Sequence, residues 1–131
     1  SSYISLSDDT PTLFDIFDTQ DYSTGSISHV SGVFTVPSTG VYLITFELTW
    51  DASSTSTNVG YIAWIAKNGS GRFGQQSTRV TNIPIYMASS CQIRLIANDT
   101  LELYVYQNST SNKHVGTLAD GIARIEITKL F

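Results

Sequence analysis

The sequence is short of charge. Lys, Arg, Asp and Glu make up 14% of its 131 residues, against roughly 25% in an average globular chain. Lys and Glu occur three times each, too few to clothe the exposed face of a long helix. A single cysteine, Cys91, excludes an internal disulfide and a cysteine-based zinc site. It reads as a small buried hydrophobe. A domain of this size can do without disulfides even when secreted, so the count does not fix the compartment. No apolar run approaches the roughly 20 residues of a membrane helix, and no membrane insertion is expected. An excess of basic charge is also missing. The net charge of -4 and pI of 4.8 exclude the electrostatic footprint of a nucleic-acid partner. The start, Ser1-Ser2-Tyr3, has no Met, no basic stretch and no apolar signal core, which reads as a processed product or a piece of a longer chain.

The two histidines, His29 and His114, have no metal-ligand spacing, and no Gly-x-Ser-x-Gly elbow accompanies them. No enzyme, cofactor or metal is therefore expected. Gly69 and Gly71 do not lead a strand into a helix, so they are not a phosphate cradle. The acidic groups are uneven: five aspartates (Asp8, Asp9, Asp15, Asp18, Asp21) fall in the first 21 residues. They form no Asp-x-Asp-x-Asp-Gly calcium loop. They read instead as charges that flank and solubilise an edge strand.

Hydroxyl side chains and strand formers are what the chain has in quantity. It contains 18 Ser and 16 Thr. Apolar residues are 41%, enough for one packed core. Strand patterns recur, with turn residues between them. Val41 to Trp50 is the clearest: Tyr42, Ile44, Phe46, Leu48 and Trp50 share one face, a period of two. Further strands are expected at Thr12–Phe17, Val30–Val36, Tyr61–Lys67, Arg72–Val80, Leu101–Gln107 and Ile122–Leu130. One more, Pro84–Ile96, is expected to be interrupted at Ser89-Ser90. Pro37–Gly40, Asn68–Gly71 and Asn98–Thr100 are tight turns, and Asn-Gly is the strongest short hairpin signal. Residues 51–58 and 108–121 read as long polar loops. Three Asn-x-Ser/Thr patterns begin at Asn68, Asn98 and Asn108, and are read as turns before glycan acceptors. The fold expected is all-β, an antiparallel two-sheet jelly-roll sandwich of about ten strands, with residues 1–131 as a single domain.

The segment Gly32-Val33-Phe34-Thr35-Val36-Pro37-Ser38-Thr39-Gly40-Val41-Tyr42 resembles the G-x-F-x-x-P-x-x-G-x-Y signature of a known family. That family is the globular head of complement component one, subcomponent q, in the tumour-necrosis-factor-like superfamily. Lys67-Asn68-Gly69, Ala88-Ser89-Ser90 and Asn98-Asp99-Thr100-Leu101-Glu102-Leu103 follow in the family's order. In the last strand the segment Ile122 to Ile127 stands where the animal family usually has its closing Phe-x-Gly-x-Leu, and is more like versions at the tips of bacteriophage and bacterial surface fibres. The resemblance implies a ten-stranded jelly roll, a tight homotrimer at the end of a stalk, and binding of proteins or glycans without catalysis.

Strand alternation sorts the connections into two ends. The tight turns 37–40, 68–71 and 98–100 share one end with the C-terminus. The longer connections 51–58, 79–83 and 108–121 share the other. Binding residues concentrate on loops held by a rigid scaffold. The candidate ligand contacts are therefore Asp51, Ser53, Ser54, Thr55, Thr57, Asn58, Arg79, Asn82, Asn112, Lys113 and His114. Trp64, Tyr104 and Tyr106 lie on strands apolar on both faces, which need cover on both. They are the candidate trimer contact. The function expected is a non-catalytic trimeric head, extracellular or on a virion surface, that binds a host-surface protein or glycan at a viral or bacterial fibre tip. The alternatives are a secreted signalling or pattern-recognition ligand of the same fold, or a carbohydrate-binding module.

Overall fold

A computed structural model describes residues 3–15, 17, 26–51, 59–80, 85–108, 113–116 and 123–131. Eleven strands lie among them: β1 (Tyr3–Leu6), β2 (Thr12–Leu13), β3 (Ser28–Val30), β4 (Val33–Thr35), β5 (Gly40–Asp51), β6 (Val59–Lys67), β7 (Ser70–Val80), β8 (Ile85–Leu95), β9 (Thr100–Gln107), β10 (Lys113–Gly116) and β11 (Ala123–Lys129). Every pairing is antiparallel. One sheet runs β1-β10-β5-β11, with β8 also paired to β5; the other runs β3-β4-β9-β6-β7, with β2 also paired to β9. The all-β, two-sheet architecture expected from the alternation is the one observed.

The core lies between the sheets. Tyr42, Ile44, Phe46, Leu48 and Trp50 of β5 are all buried, as the period of two requires. They meet Tyr61, Ala63 and Ile65 of β6 and Leu101, Leu103 and Val105 of β9 in one apolar cluster. Trp50 and Tyr61 pack edge to face, with ring centroids 5.0 Å apart. Each fully buried large side chain of this kind stabilises the fold by roughly 1.5–3 kcal/mol.

Four expectations about elements are corrected. Residues Val30 to Val36 form a hairpin, not one strand: Ser31 (φ 48°) and Gly32 (φ 81°) turn the chain between β3 and β4. A Cβ on Gly32 would stand 2.8 Å from the Phe14 carbonyl oxygen and the Asp15 Cα, so this turn fits only glycine. Of the stretch Thr12–Phe17, the described residues keep a strand over Thr12–Leu13. β8 is not interrupted at Ser89-Ser90; it pairs with β5 without a shift from Gly40↔Leu95 to Trp50↔Ile85. The irregularity falls instead in the β6–β7 pairing, where register shifts at Ile65 accompany left-handed Gly71 and Gly74. Small side chains on β8 serve that bend: a Cβ on Gly74 would lie 3.2 Å from Cys91 Sγ and 3.3 Å from Ser89 Oγ, so β7 closes against β8 there. Cys91 is half-buried rather than fully buried. Finally, the expected loop 108–121 contains β10, whose backbone joins β1 to β5.

The two-ended arrangement holds wherever residues are described. At one end the tight turns are bonded to each other. Val36 N–H donates to Asp99 O at 3.0 Å, Asn98 N–H to Val36 O at 2.8 Å, and Asn68 N–H to Thr100 O at 3.0 Å. The C-terminal residues join this end, with Val41 N–H donating to Phe131 O. β5, β7 and β9 run out at the opposite end, at Asp51, Val80 and Gln107.

Candidate functional site

The turn end is closed by a buried carboxylate. Asp99 is 6% exposed. It accepts from Asn68 Nδ2 at 2.8 Å and from Ile96 N–H at 2.9 Å, and Lys67 Nζ stands 3.2 Å away. These donors, Asn68 first, hold its carboxyl below the ordinary carboxylate value. Asn68 Oδ1 in turn accepts from Thr100 N–H at 2.8 Å. Glu102, also buried, accepts from Thr100 Oγ1 at 2.6 Å and Gly69 N–H at 3.2 Å. The conserving of the hairpin's shape is thus the task of Asn68, whose φ of 50° places it in the turn; its amide is committed on both sides. This end is built for rigidity.

The opposite end is built differently. On the outer face of the second sheet, Gly60, Ile62, Ser77, Thr78, Arg79, Tyr106 and Asn108 line a groove of about 300 Å³. Three strands place these groups by register: Ile62 stands opposite both Tyr106 and Ser77, and Gly60 opposite Arg79. Asn108 completes the row through two contacts with Gly60. Its Oδ1 accepts from Gly60 N–H at 2.7 Å, and its own N–H donates to Gly60 O at 3.3 Å. A side chain on Gly60 would put a Cβ 3.2 Å from Asn108 Oδ1, so the glycine keeps the amide in place. The Tyr106 hydroxyl bonds the Asp9 carboxylate, which raises the phenol's pKa, assisted by burial and by the charges of Asp9 and Asp8. Asp9 reaches this end because β1 and β2 are joined by a turn there, with Asp9 N–H donating to Gln107 O at 2.8 Å.

The candidate ligand contacts divide by location. Ser53, Ser54, Thr55, Thr57, Asn58, Asn82 and Asn112 lie outside the described residues. Asp51 and His114 are register partners across β5 and β10, and Lys113 pairs with Leu6 of β1. Lys113 and His114 therefore sit in a strand, not in the loop expected for them; β10 carries no apolar alternation that could announce it. Arg79 lines the groove. Sequence reasoning missed Gly60 and Asn108 as neighbours of Arg79 in the groove, and Asp9 as the partner of Tyr106. A glycine at the start of a strong strand pattern was the available signal, since such a glycine marks a close approach.

Trp64, Tyr104 and Tyr106 share the outer face of this sheet. The Trp64 ring stacks against Tyr104 with centroids 5.8 Å apart and 12° between planes. The Arg72 guanidinium lies 4.2 Å over the indole, a cation–π contact. Trp64 is 5% exposed, so the cover this row needs comes in part from within the chain. A second groove of about 450 Å³ runs beside it, lined among others by Pro11, Gly69, Arg72 and Tyr104. Among the described residues no group of three or more His, Cys, Asp and Glu is gathered to hold a metal ion.

No family model matches the sequence, and no curated protein matches it. Solved structures do. The chain is similar to the Eiger TNF of S. frugiperda, with a TM-score of 0.66 and 18% identity, over 98% of this chain and 85% of that one. At this identity the likeness shows the fold: a jelly roll of the tumour-necrosis-factor type.

Proposed function

We propose that the chain is a non-catalytic binding head, assembled as a homotrimer and displayed outside the cell, that meets its partner with the loop end. The observation that carries this reading is the contrast between the ends. One is tied by the bonds of Asp99, Asn68 and Val36, and the other carries the groove and the longer connections. A rigid scaffold with variable connections at one end is the usual plan of a recognition domain. The jelly-roll likeness supports the trimer, as does the resemblance of Gly32–Tyr42 to the complement-head signature. The form of the last strand supports a fibre tip on a virus or bacterium, with a host-surface protein or glycan as partner. The likeness to a protein described as a TNF favours the second reading, a secreted ligand.

Fluorescently labelled head can be applied to panels of animal and bacterial cells. Replacing residues 52–58 by a short Gly-Ser linker should abolish cell binding and leave the melting temperature nearly unchanged, because loop closure costs grow slowly with length. A change at Ser70, beside the 68–71 turn, should leave binding intact. Loss of binding in the Ser70 variant, with the loop variant unaffected, would invert the assignment of the binding end.

A further inference from the structure

We infer that the loop-end groove is a subsite for a neutral sugar ring, with Asn108, Asp9 and Tyr106 as its polar and aromatic contacts. The inference rests on the binding-head reading and names the ligand class. The groove is at the lower end of the size range of ligand sites, which hold a few placed polar groups around an apolar floor. Ile62 and Gly60 provide that floor, and the missing Gly60 side chain opens it between Arg79 and Asn108.

The polar groups face in both senses. Asn108 spends its carbonyl oxygen on Gly60 N–H, which orients the amide and leaves its nitrogen as a donor of two hydrogens. Asp9 binds Tyr106 through one carboxylate oxygen and has a second as an acceptor. Vicinal sugar hydroxyls are donors and acceptors at once, so an amide donor on the groove and a carboxylate acceptor held at its Tyr106 suit a hydroxyl pair. Tyr106, expected at the trimer contact, is assigned to the sugar instead: its ring, half-buried on the groove wall, offers an apolar surface to the C–H face of a pyranose. Mixed charge decides between ligand classes. Arg79 on the groove wall would favour an anionic sugar, but the Asp9 carboxylate bonded to Tyr106 opposes one. The site is preorganised by backbone: Asn108 by Gly60, and Asp9 by its own N–H bond to Gln107 O. Little ordering is left to oppose binding.

The test is a panel of immobilised neutral, sialylated and sulfated oligosaccharides. The chain is produced in bacteria, so that Asn108, which heads an Asn-Ser-Thr sequence, carries no glycan. Binding to neutral members is expected. Asn108→Asp keeps the oxygen that accepts from Gly60 and removes the donor. It should weaken binding at least about tenfold with an unchanged melting temperature, and Asp9→Ala should weaken it similarly. Ser70→Ala, at the turn end, should bind as the parent does. Binding confined to sialylated or sulfated members, no binding to any member, or an Asn108→Asp variant that binds normally would each overturn the inference. So would dissociation of an assembly by Asn108→Asp, which would make this face a seam between chains. If the linker-for-52–58 variant loses cell binding while Asn108→Asp keeps it, the sugar subsite falls and the binding head stands.

Discussion

Single residues divide between those that hold shape and those that present chemistry, and Asp99 shows how the first kind is recognised. A buried carboxylate is costly unless its oxygens are satisfied. Here Asn68, the Ile96 amide and Lys67 supply the donors. Because its pKa is lowered in the fold, its contribution is fully present above the unfolded value of 3.8 and is lost as pH falls through the folded value. The melting temperature should therefore drop as pH goes below 3.8, and Asp99→Asn should flatten that drop while lowering stability at neutral pH. An equally steep acid limb in the variant would remove Asp99 from this role. Gly32 is a second such residue. Gly32→Ala forces a left-handed φ of 81° on a side chain that also meets Phe14 and Asp15. A loss on the order of 2 kcal/mol or more is expected in urea unfolding. His29 adds a weaker constraint: its Nε2 accepts from Gly32 N–H at 3.1 Å, which requires the neutral ring, and burial lowers its pKa to suit.

At the scale of elements, what could be read in the sequence followed the strength of the alternation. β5 carries ten residues of unbroken period two, Val41 to Trp50, and it is the strand around which its sheet is built. The hairpin at Asn68-Gly69 was legible because both positions adopt φ above zero, of 50° and 75°, and Asn-Gly is the pair that does so at least cost. The Ser31-Gly32 hairpin uses the same geometry with a weaker first residue, so Val30 to Val36 read as one strand. β1 and β10 were illegible for a different reason. Their pairing is with each other and with the end of β5, and neither four-residue segment has a pattern that shows a distant partner. Ser89-Ser90 misled in the opposite direction: small polar residues looked like a break, but they make room for β7 at Gly74. As a ligand contact the groove was legible only in Arg79, because Asn108 comes to it, and Asp9 to its Tyr106, through bonds that no local pattern encodes. These differences predict unequal local stability. Amide hydrogens of β5 and β8, paired without a shift over their length, should exchange last. Those of β1 and β10, paired over four residues, should exchange first. Early exchange throughout β8 would contradict the unbroken pairing.

For the whole molecule, the proposed function gives opposite work to the two ends of the sandwich. Tied turns fix the spacing of six strands at one end, so substitutions in the connections at the other are expected to leave the melting temperature nearly unchanged. In the proposed assembly, recognition at that end would gain from repetition: three copies held in one head would convert weak single contacts into avidity, provided that the ligands can be reached together. Assembly is thus the claim on which the rest stands. Light scattering on the purified chain at micromolar concentration tests it most directly. The account predicts a mass of about three times 14.3 kDa, retained in the variant that lacks residues 52–58. A stable, dispersed species with the mass of one chain would contradict it.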